Sequence, residues 1–178
     1  KAADPAASKP DKPAKIDPKL RPRDASTLII LDTSGGEPRI LFGKRRLDQV
    51  FQPGKYVFPG GRVDPSDLRV KVPDSLAQTE VRKLLREIKG RPSERRVNAF
   101  ALAAIRETYE ETGLLLGTPS SDPGRSSVAI WNRFLSQGVA PRLASMTFLA
   151  RAITPPGKPR RYDTRFFLAR APQHQQSS

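Results

Sequence analysis

The sequence contains no cysteine, a single histidine and no apolar run near the roughly 20 residues needed to cross a bilayer. The absence of cysteine excludes disulfides and thiolate metal sites. One histidine, His174 in the polar segment 172–178, cannot build a nitrogen-rich site, and we assign it no role. Any metal site must therefore use oxygen ligands, which favours Mg²⁺ or Mn²⁺ over zinc.

Acidic residues are also few, with 18 Asp and Glu against 32 Lys and Arg and a net charge of +14. Such an excess attracts nucleic acid, anionic membranes or small anionic substrates without choosing among them. Part of it lies in residues 1–24, which are rich in Pro, Ala and Lys and which we expect to be a disordered tail. This tail lacks the apolar centre of a secretory signal, so a cytoplasmic location is expected. The length suits one domain, placed at residues 25–171.

What is present is a cluster of carboxylates in residues 106–114, Arg-Glu-Thr-Tyr-Glu-Glu-Thr-Gly-Leu. Glu107, Glu110 and Glu111 have the i, i+3, i+4 spacing that puts side chains on one helix face. They would repel one another without a cation, so the pattern predicts a divalent-metal site; a solvated acidic face is the alternative. The apolar residues 100–105 precede them and Gly113 suits a left-handed cap, which predicts a helix over about 98–112.

This segment resembles the catalytic helix of the Nudix hydrolases. The residues that match the second half of the Nudix box are Arg106, Glu107, Glu110, Glu111, Gly113 and Leu114, with Thr108 where the box has an apolar residue. The resemblance implies that Glu110 and Glu111 bind the metal and that Glu107 binds metal or serves as general base. Arg106 would hold the glutamates in place through charge-assisted hydrogen bonds.

The first half of the box is displaced by an insertion at about residues 68–97. Phe58-Pro59-Gly60-Gly61 resembles the glycine loop of the family, and Asp67 follows where the box has glutamate. Counting back from Arg106 by the usual spacing of the box instead puts Asn98, which is not acidic, at the position of the first glutamate. The first acidic residue of the box is therefore either Asp67 or absent. A split box of this kind, together with residues 159–167, is similar to the branch that includes coenzyme A diphosphatases.

The resemblance implies an α/β Nudix fold: a mixed β-sheet sandwiched between helices, with an inserted helix between the glycine loop and the catalytic helix. Apolar spacing predicts that inserted helix at about 75–89, capped by Asp74 or Ser75 and ended by Gly90. Residues 129–135 predict a short helix with Trp131 as a packing residue. Strands are predicted at 27–31 and 39–42, as a hairpin, and at 146–150 and 165–169. Nudix domains usually continue past the last of these, so a C-terminal truncation is considered.

Further residues are candidates for substrate contacts. Arg45 and Arg46 follow the second strand, and either could clamp a diphosphate with its planar fork or lie at a solvated strand end. Backbone at Gly60 and Gly61 should approach the site, because glycine allows close passage of main chain. A third pair, Asp163 and Arg165, would either orient substrate or pair across a strand.

The expected function is metal-dependent hydrolysis of a diphosphate linkage in a nucleoside diphosphate derivative, with coenzyme A or acyl-CoA as leading substrate. Alternatives are an ADP-ribose, dinucleotide, nucleotide-sugar or RNA-cap hydrolase, or a non-catalytic Nudix-like module that binds RNA or protein. The expected partner is a small-molecule diphosphate; no membrane partner is expected and nucleic acid is not favoured. The resemblance also makes a homodimer a candidate assembly.

Overall fold

The computed structural model describes residues 19–45 and 54–172. Most of the expected basic tail, Arg46 and His174 lie outside these ranges. The elements in chain order are β1 (Arg23–Asp32), β2 (Arg39–Ile40), β3 (Gly43–Lys44), β4 (Tyr56–Val57), β5 (Gly60–Arg62), α1 (Gln78–Glu87), α2 (Glu94–Thr112), β6 (Gly117–Pro119), α3 (Ala129–Leu135), β7 (Val139–Pro141), β8 (Thr147–Ile153) and β9 (Tyr162–Arg170). None of the helices in the described ranges has both the length and the apolar character that a bilayer crossing requires.

The central sheet has the strand order β2-β1-β9-β8, and β5 pairs with β1 at the sheet edge. Strands β1 and β9 run parallel from Arg23 opposite Tyr162 to Leu31 opposite Arg170. The pairs β1–β2, β1–β5 and β8–β9 are antiparallel. The sheet is therefore mixed, and the expected α/β class is confirmed.

The two faces of this sheet differ in burial. On β9, Asp163, Arg165, Phe167 and Ala169 are buried, whereas the residues between them are only partly buried. The buried apolar residues of all three helices form one cluster with the buried face, which we call the core face. In the part of the chain that the structure describes, the helices thus cover one face, although helices on both faces were expected. The other face, which carries Phe166, is called the open face below.

Helix α2, which carries the three glutamates, begins one turn earlier than expected. Its N-cap is Ser93, whose hydroxyl accepts a hydrogen bond from the backbone N–H of Arg96 at 3.2 Å. Asn98, the expected start, lies inside the helix and accepts a bond from Leu76 N–H. The other end agrees with expectation, because Gly113 has φ 74° and donates to the Tyr109 carbonyl.

The inserted helix is shorter than expected. Its N-cap is Ala77, which forms no side-chain cap, and it ends at Glu87 before Ile88 turns into extended backbone. Asp74 does not cap it, because its carboxylate accepts from the backbone N–H groups of Ser75 and Ala144 instead. Leu76, Val81, Leu84 and Ile88 are buried in the core, so the insertion is packed rather than loosely attached.

Other boundaries move by a few residues. The structure places α3 at Ala129–Leu135, as expected, with Trp131 fully buried. Strand β1 begins at Arg23, inside the expected tail, and β2 ends at Ile40 rather than at residue 42. Gly60 and Gly61 lie in β5, where they pair with Thr27 and Ser26, and not in a loop.

Candidate active site

The guanidinium of Arg106 organises the acidic end of α2. It donates from one terminal nitrogen to Glu107 at 2.9 Å and to Glu110 at 3.2 Å. The other terminal nitrogen donates to the backbone carbonyl of Arg62 at 2.8 Å. The arginine thus ties two of the three carboxylates to each other and to strand β5.

Asp67 lies on the opposite side of the same guanidinium. Its two carboxylate oxygens accept from Nε and a terminal nitrogen of Arg106 at 2.8 and 3.0 Å, a two-pronged pair. They also accept from the indole of Trp131 at 2.9 Å and from Asp64 N–H at 2.8 Å. The Asp67 side chain has no exposed area. Asp67 therefore positions Arg106. Asn98, which the other count puts at the position of the first acidic residue, accepts a hydrogen bond from Leu76 N–H instead.

Thr108, where the box has an apolar residue, is fully buried. Its hydroxyl donates to the carbonyl of Ala104 at 2.8 Å, one turn back in α2. A buried hydroxyl without a partner would cost free energy, and this bond removes that cost. The departure from the pattern is therefore accommodated within the helix.

Strand β5 packs directly against two glutamates. A Cβ built on Gly61 would overlap the carboxylate of Glu107, whereas one on Gly60 would overlap backbone atoms of Ser26 and Thr27. The N–H of Gly60 donates to Glu111. The close approach expected at these glycines is thus present, and it is made by a strand.

Burial and charge both act on these carboxylates. Burial raises the pKa of Glu107, while the adjacent Arg106 charge and hydrogen bond oppose that rise. Burial also raises the pKa of Glu111, and the negative charge of Glu107 raises it further. The pKa of Arg106 is raised, because its bonds to Asp67 and the nearby carboxylates outweigh its burial. Arg106 and the Gly60 N–H thus offset only part of the effect of burial on the pKa of Glu107 and of Glu111.

The donor set fits a hard divalent cation. It consists of three adjacent carboxylates on the last turns of one helix, and such oxygens are what Mg²⁺ and Mn²⁺ prefer. Within residues 19–45 and 54–172, no three acidic, histidine or cysteine side chains already converge as a metal-binding group. Glu107 and Glu110 are turned to Arg106, and Glu111 to Gly60 N–H. A cation that bound these carboxylates would replace some of their hydrogen bonds to Arg106 and to Gly60 N–H.

A pocket of about 450 Å³ opens over β5 on the open face of the sheet. Its floor is made by small residues, Ala25 and Gly60 among them, and its wall includes the exposed ring of Tyr56. The full lining is Ala25, Ser26, Thr27, Arg45, Tyr56, Val57, Phe58, Gly60, Gly61, Arg62, Thr154, Arg160, Tyr162, Thr164 and Phe166. Because Gly60 and Gly61 also contact the glutamates, the pocket and the carboxylates lie on either side of one edge strand.

Arg45 connects these two regions. It lines the pocket, and its positive charge acts to lower the pKa of Glu111. Arg46, its expected partner in the clamp, lies outside the described residues. One of the two cations that the sequence singled out thus lines the pocket and is close enough to Glu111 for its charge to act on that carboxylate.

Asp163 and Arg165 form pairs and do not join the glutamates. The Asp163 carboxylate accepts two bonds from Arg151, at 2.6 and 2.7 Å, and lies 3.2 Å from Arg165. Arg165 also reaches Asp24 at 3.1 Å and covers the ring of Phe100. Both side chains lie on the core face, away from the pocket. Of the two expectations, pairing across strands is the one that the geometry supports.

No protein-family model matches the sequence, and no curated protein matches it. Among solved structures, it resembles a NUDIX hydrolase from Alicyclobacillus acidocaldarius, with 25% identity over 89% of this chain and 74% of that one, and a TM-score of 0.64. Two further structures are a C. elegans Ap4A hydrolase and a Nudix hydrolase from M. smegmatis. The first has 16% identity over 89% and 76% of the chains and a TM-score of 0.42. The second has 14% identity over 88% and 64% and a TM-score of 0.38. The fold assignment rests on the Alicyclobacillus enzyme. The chain is a Nudix-type hydrolase.

Two features of this Nudix-type hydrolase were missed by the sequence reading. Trp131 was assigned to packing alone, yet its indole N–H also holds Asp67. Arg160 and Tyr162 lie in residues 159–167, which the sequence reading used only as a similarity to one branch. It assigned no pocket role to them or to Arg62, because the sheet brings these distant segments together. A buried tryptophan usually donates its indole N–H to an acceptor, and this preference is the signal by which the bond from Trp131 to Asp67 could have been expected.

Proposed function

We propose that this Nudix-type hydrolase cleaves a diphosphate linkage in a nucleoside diphosphate derivative, using Mg²⁺ or Mn²⁺, with coenzyme A or an acyl-CoA as the leading substrate. The observation that supports it most is the cluster of carboxylates at the end of α2. Arg106 joins Glu107 and Glu110, and Glu111 lies against the edge strand that borders the pocket. A diphosphate held at the cluster would have its organic part beside the pocket.

A bound Mg²⁺ or Mn²⁺ would neutralise the diphosphate oxygens and lower the pKa of a water molecule. Glu110 and Glu111 would hold it with their carboxylate oxygens. Glu107, the more buried of the two glutamates that contact Arg106, would provide a further ligand or accept the proton of the attacking water. Arg106 would orient Glu107 and Glu110 through its hydrogen bonds to their carboxylates.

Arg45 is the residue best placed to hold the substrate. It lines the pocket, its charge acts on Glu111, and a planar guanidinium matches phosphate oxygens. Its charge would attract the diphosphate and orient it toward the carboxylates. The pocket volume of about 450 Å³ lies within the range of small-molecule sites. Coenzyme A leads among substrates because of the split box and residues 159–167, and ADP-ribose, dinucleotides and nucleotide sugars are the alternatives.

The proposal is tested by mass-spectrometric analysis of products after incubation of this chain with coenzyme A, ADP-ribose, dinucleotides and nucleotide sugars. Each reaction is run with Mg²⁺, with Mn²⁺ and with excess chelator. Cleavage is expected only with metal, and Glu110→Gln should lower turnover at least about a hundredfold, because metal charge stabilisation is worth several kcal/mol. The exposed Glu37→Gln, in the loop between β1 and β2, is the matched control and should keep full turnover.

Equal turnover in Glu110→Gln would remove the assignment of the carboxylates. Failure to cleave any of the compounds would remove the proposed activity. Cleavage of a compound other than coenzyme A would keep the chemistry and replace the leading substrate.

A further inference from the structure

Two arginines at the pocket have side chains without a partner among the residues that the structure describes. Arg62 and Arg160 are exposed and line the pocket, and within residues 19–45 and 54–172 neither side chain forms a hydrogen bond or an ion pair. The neighbouring Arg161 differs, because it donates to the carbonyls of Thr154 at 3.0 Å and Leu20 at 2.7 Å. Arg161 thus stabilises the loop, whereas the charges of Arg62 and Arg160 remain available to a ligand.

The sheet register brings both arginines to one place. Arg62 of β5 lies opposite Ala25 of β1, and Ala25 lies opposite Thr164 of β9. Residues directly opposite one another point to the same face, so Arg62 is on the open face. Arg160 precedes β9 in the loop that borders the same pocket. Small residues, Ala25 and Gly60 among them, also line this pocket.

The rest of the lining has a consistent chemical character. Among the described residues the lining has no acidic side chain, and it has three arginines together with the aromatic residues Tyr56, Phe58, Tyr162 and Phe166. Aromatic rings accept a stacked ring of a ligand, and guanidinium groups accept phosphate oxygens. The pocket therefore suits an aromatic group that bears a negative charge of its own.

The negative charge on this aromatic group of the ligand is separate from the diphosphate that the proposed reaction cleaves. Arg45 is the pocket cation that acts on Glu111, so it is the one beside the carboxylates. Arg62 and Arg160 are left for a further anionic group. Two unpaired guanidinium groups beside one pocket repel each other, and a bound phosphate would remove that repulsion.

We infer that the pocket binds a nucleoside carrying a phosphate group additional to the scissile diphosphate, and that Arg62 and Arg160 hold this extra phosphate. The inference rests on the proposed function for the position of the diphosphate. It makes the two arginines specificity-determining residues of the Nudix-type hydrolase. The reacting atoms are not touched by either residue.

A binding measurement tests the inference without any turnover. Isothermal titration calorimetry of the full chain compares adenosine 3′,5′-bisphosphate, adenosine 2′,5′-bisphosphate and AMP. At least one bisphosphate should bind about tenfold more tightly than AMP, since its second phosphate, which AMP lacks, accepts charge-assisted hydrogen bonds from the arginines. Arg62→Gln and Arg160→Gln should each reduce that preference, and the double variant should abolish it. Lys158→Gln, in the same loop but outside the lining, is the matched control and should keep it.

A turnover measurement separates this inference from the proposed function. The ratio of kcat/KM for coenzyme A to that for dephospho-coenzyme A, which lacks the 3′-phosphate, should exceed one and fall in the arginine variants. Metal-dependent cleavage with equal rates for the two compounds, together with equal binding of the three adenosine ligands, would overturn the inference and keep the proposed function. A binding preference that the arginine variants remove, without any cleavage, would overturn the proposed function and support the phosphate subsite.

Discussion

At the scale of single residues, the candidate site depends on one arginine whose donors are shared among three acids. Arg106 bonds Asp67 on one side and Glu107 and Glu110 on the other. The sequence of α2 could be matched to the Nudix box directly. The pairing of Arg106 with Asp67 could not be predicted in the same way, because Asp67 lies before the insertion and only the folded chain brings the two side chains together. Asp67 was one of two candidates, and its buried contacts distinguish it from Asn98.

We expect Asp67→Asn to lower the free energy of unfolding by about 3 kcal/mol, because Arg106 loses its fully buried carboxylate partner and keeps only Glu107 and Glu110, which are more exposed. Urea unfolding at neutral pH measures this loss. The new amide would keep one acceptor oxygen where the carboxylate has two, so the indole of Trp131 would compete for it with Arg106 and Asp64 N–H. The fluorescence of Trp131, the single tryptophan, should therefore also change. Asp64→Asn serves as a control nearby, since the Asp64 carboxylate is more exposed and bonds the adjacent turn at Ser66 N–H. A loss below about 1 kcal/mol for Asp67→Asn would contradict the positioning role.

We expect Gly61→Ala to lower kcat at least about tenfold while changing stability little. The new Cβ would overlap only the flexible carboxylate end of Glu107, which can move aside, and a misplaced catalytic group costs rate. Steady-state kinetics and thermal unfolding measure the two effects. Gly36→Ala is the control, because a Cβ added there would have no atom of the described chain within 4 Å beyond its immediate neighbours. A variant that keeps full kcat would show that Glu107 needs no fixed position.

At the scale of secondary-structure elements, the apolar pattern located helices well and their first residues poorly. The pattern marks the buried stripe of α2 but not Glu94–Val97, where Ser93 provides the cap and only Val97 is buried. For α1, the side chain expected to act as cap is taken by a distant segment, the backbone N–H of Ala144. Helix caps depend on which competing donors the fold supplies, and those donors are long-range contacts that a local pattern does not contain.

The start of α2 provides a direct test of this cap. Ser93→Ala should lower the free energy of unfolding by about 1 kcal/mol, because the backbone N–H of Arg96 loses its acceptor. Chemical unfolding followed by circular dichroism measures it. Ser75→Ala, at an exposed serine ahead of α1 that does not cap that helix, should change stability by less than about 0.5 kcal/mol. Equal effects in the two variants would show that the cap does not stabilise the helix.

At the scale of the whole molecule, ion pairs centred on Asp163 and the buried Arg165 join the sheet to both long helices. Asp163 of β9 pairs with Arg151 of β8, which also reaches Glu87 of α1. Asp24 of β1 pairs with Arg96 of α2 and with Arg165. The sequence indicated the class of fold and the acidic helix. It could not indicate this network, because its members are separated by most of the chain and no local spacing relates them.

This network makes stability depend on acid. Burial alone would raise the pKa of Asp163, but the hydrogen bonds of Arg151 and the charges of Arg165 and Arg151 outweigh it, so its pKa lies below the ordinary value of 3.8. A carboxylate with a depressed pKa in the folded state stabilises the fold fully above its unfolded pKa. That contribution decreases as the pH falls from there through the folded pKa. The arginines keep their charge throughout this range, so Asp163 is the member of its pairs that titrates.

Asp163→Asn should therefore lower the free energy of unfolding by roughly 3 kcal/mol at pH 7, because it leaves Arg165 without that carboxylate inside the protein. The difference between the native chain and the variant should shrink as the pH falls below 3.8, since protonation removes the same charge from the native chain. Urea unfolding at a series of pH values measures the difference. Asp122→Asn, at an exposed position in the chain between β6 and α3, should give a small and pH-independent difference. A difference for Asp163→Asn that stays constant down to about pH 2 would mean that the pair does not link the protonation of this carboxylate to folding.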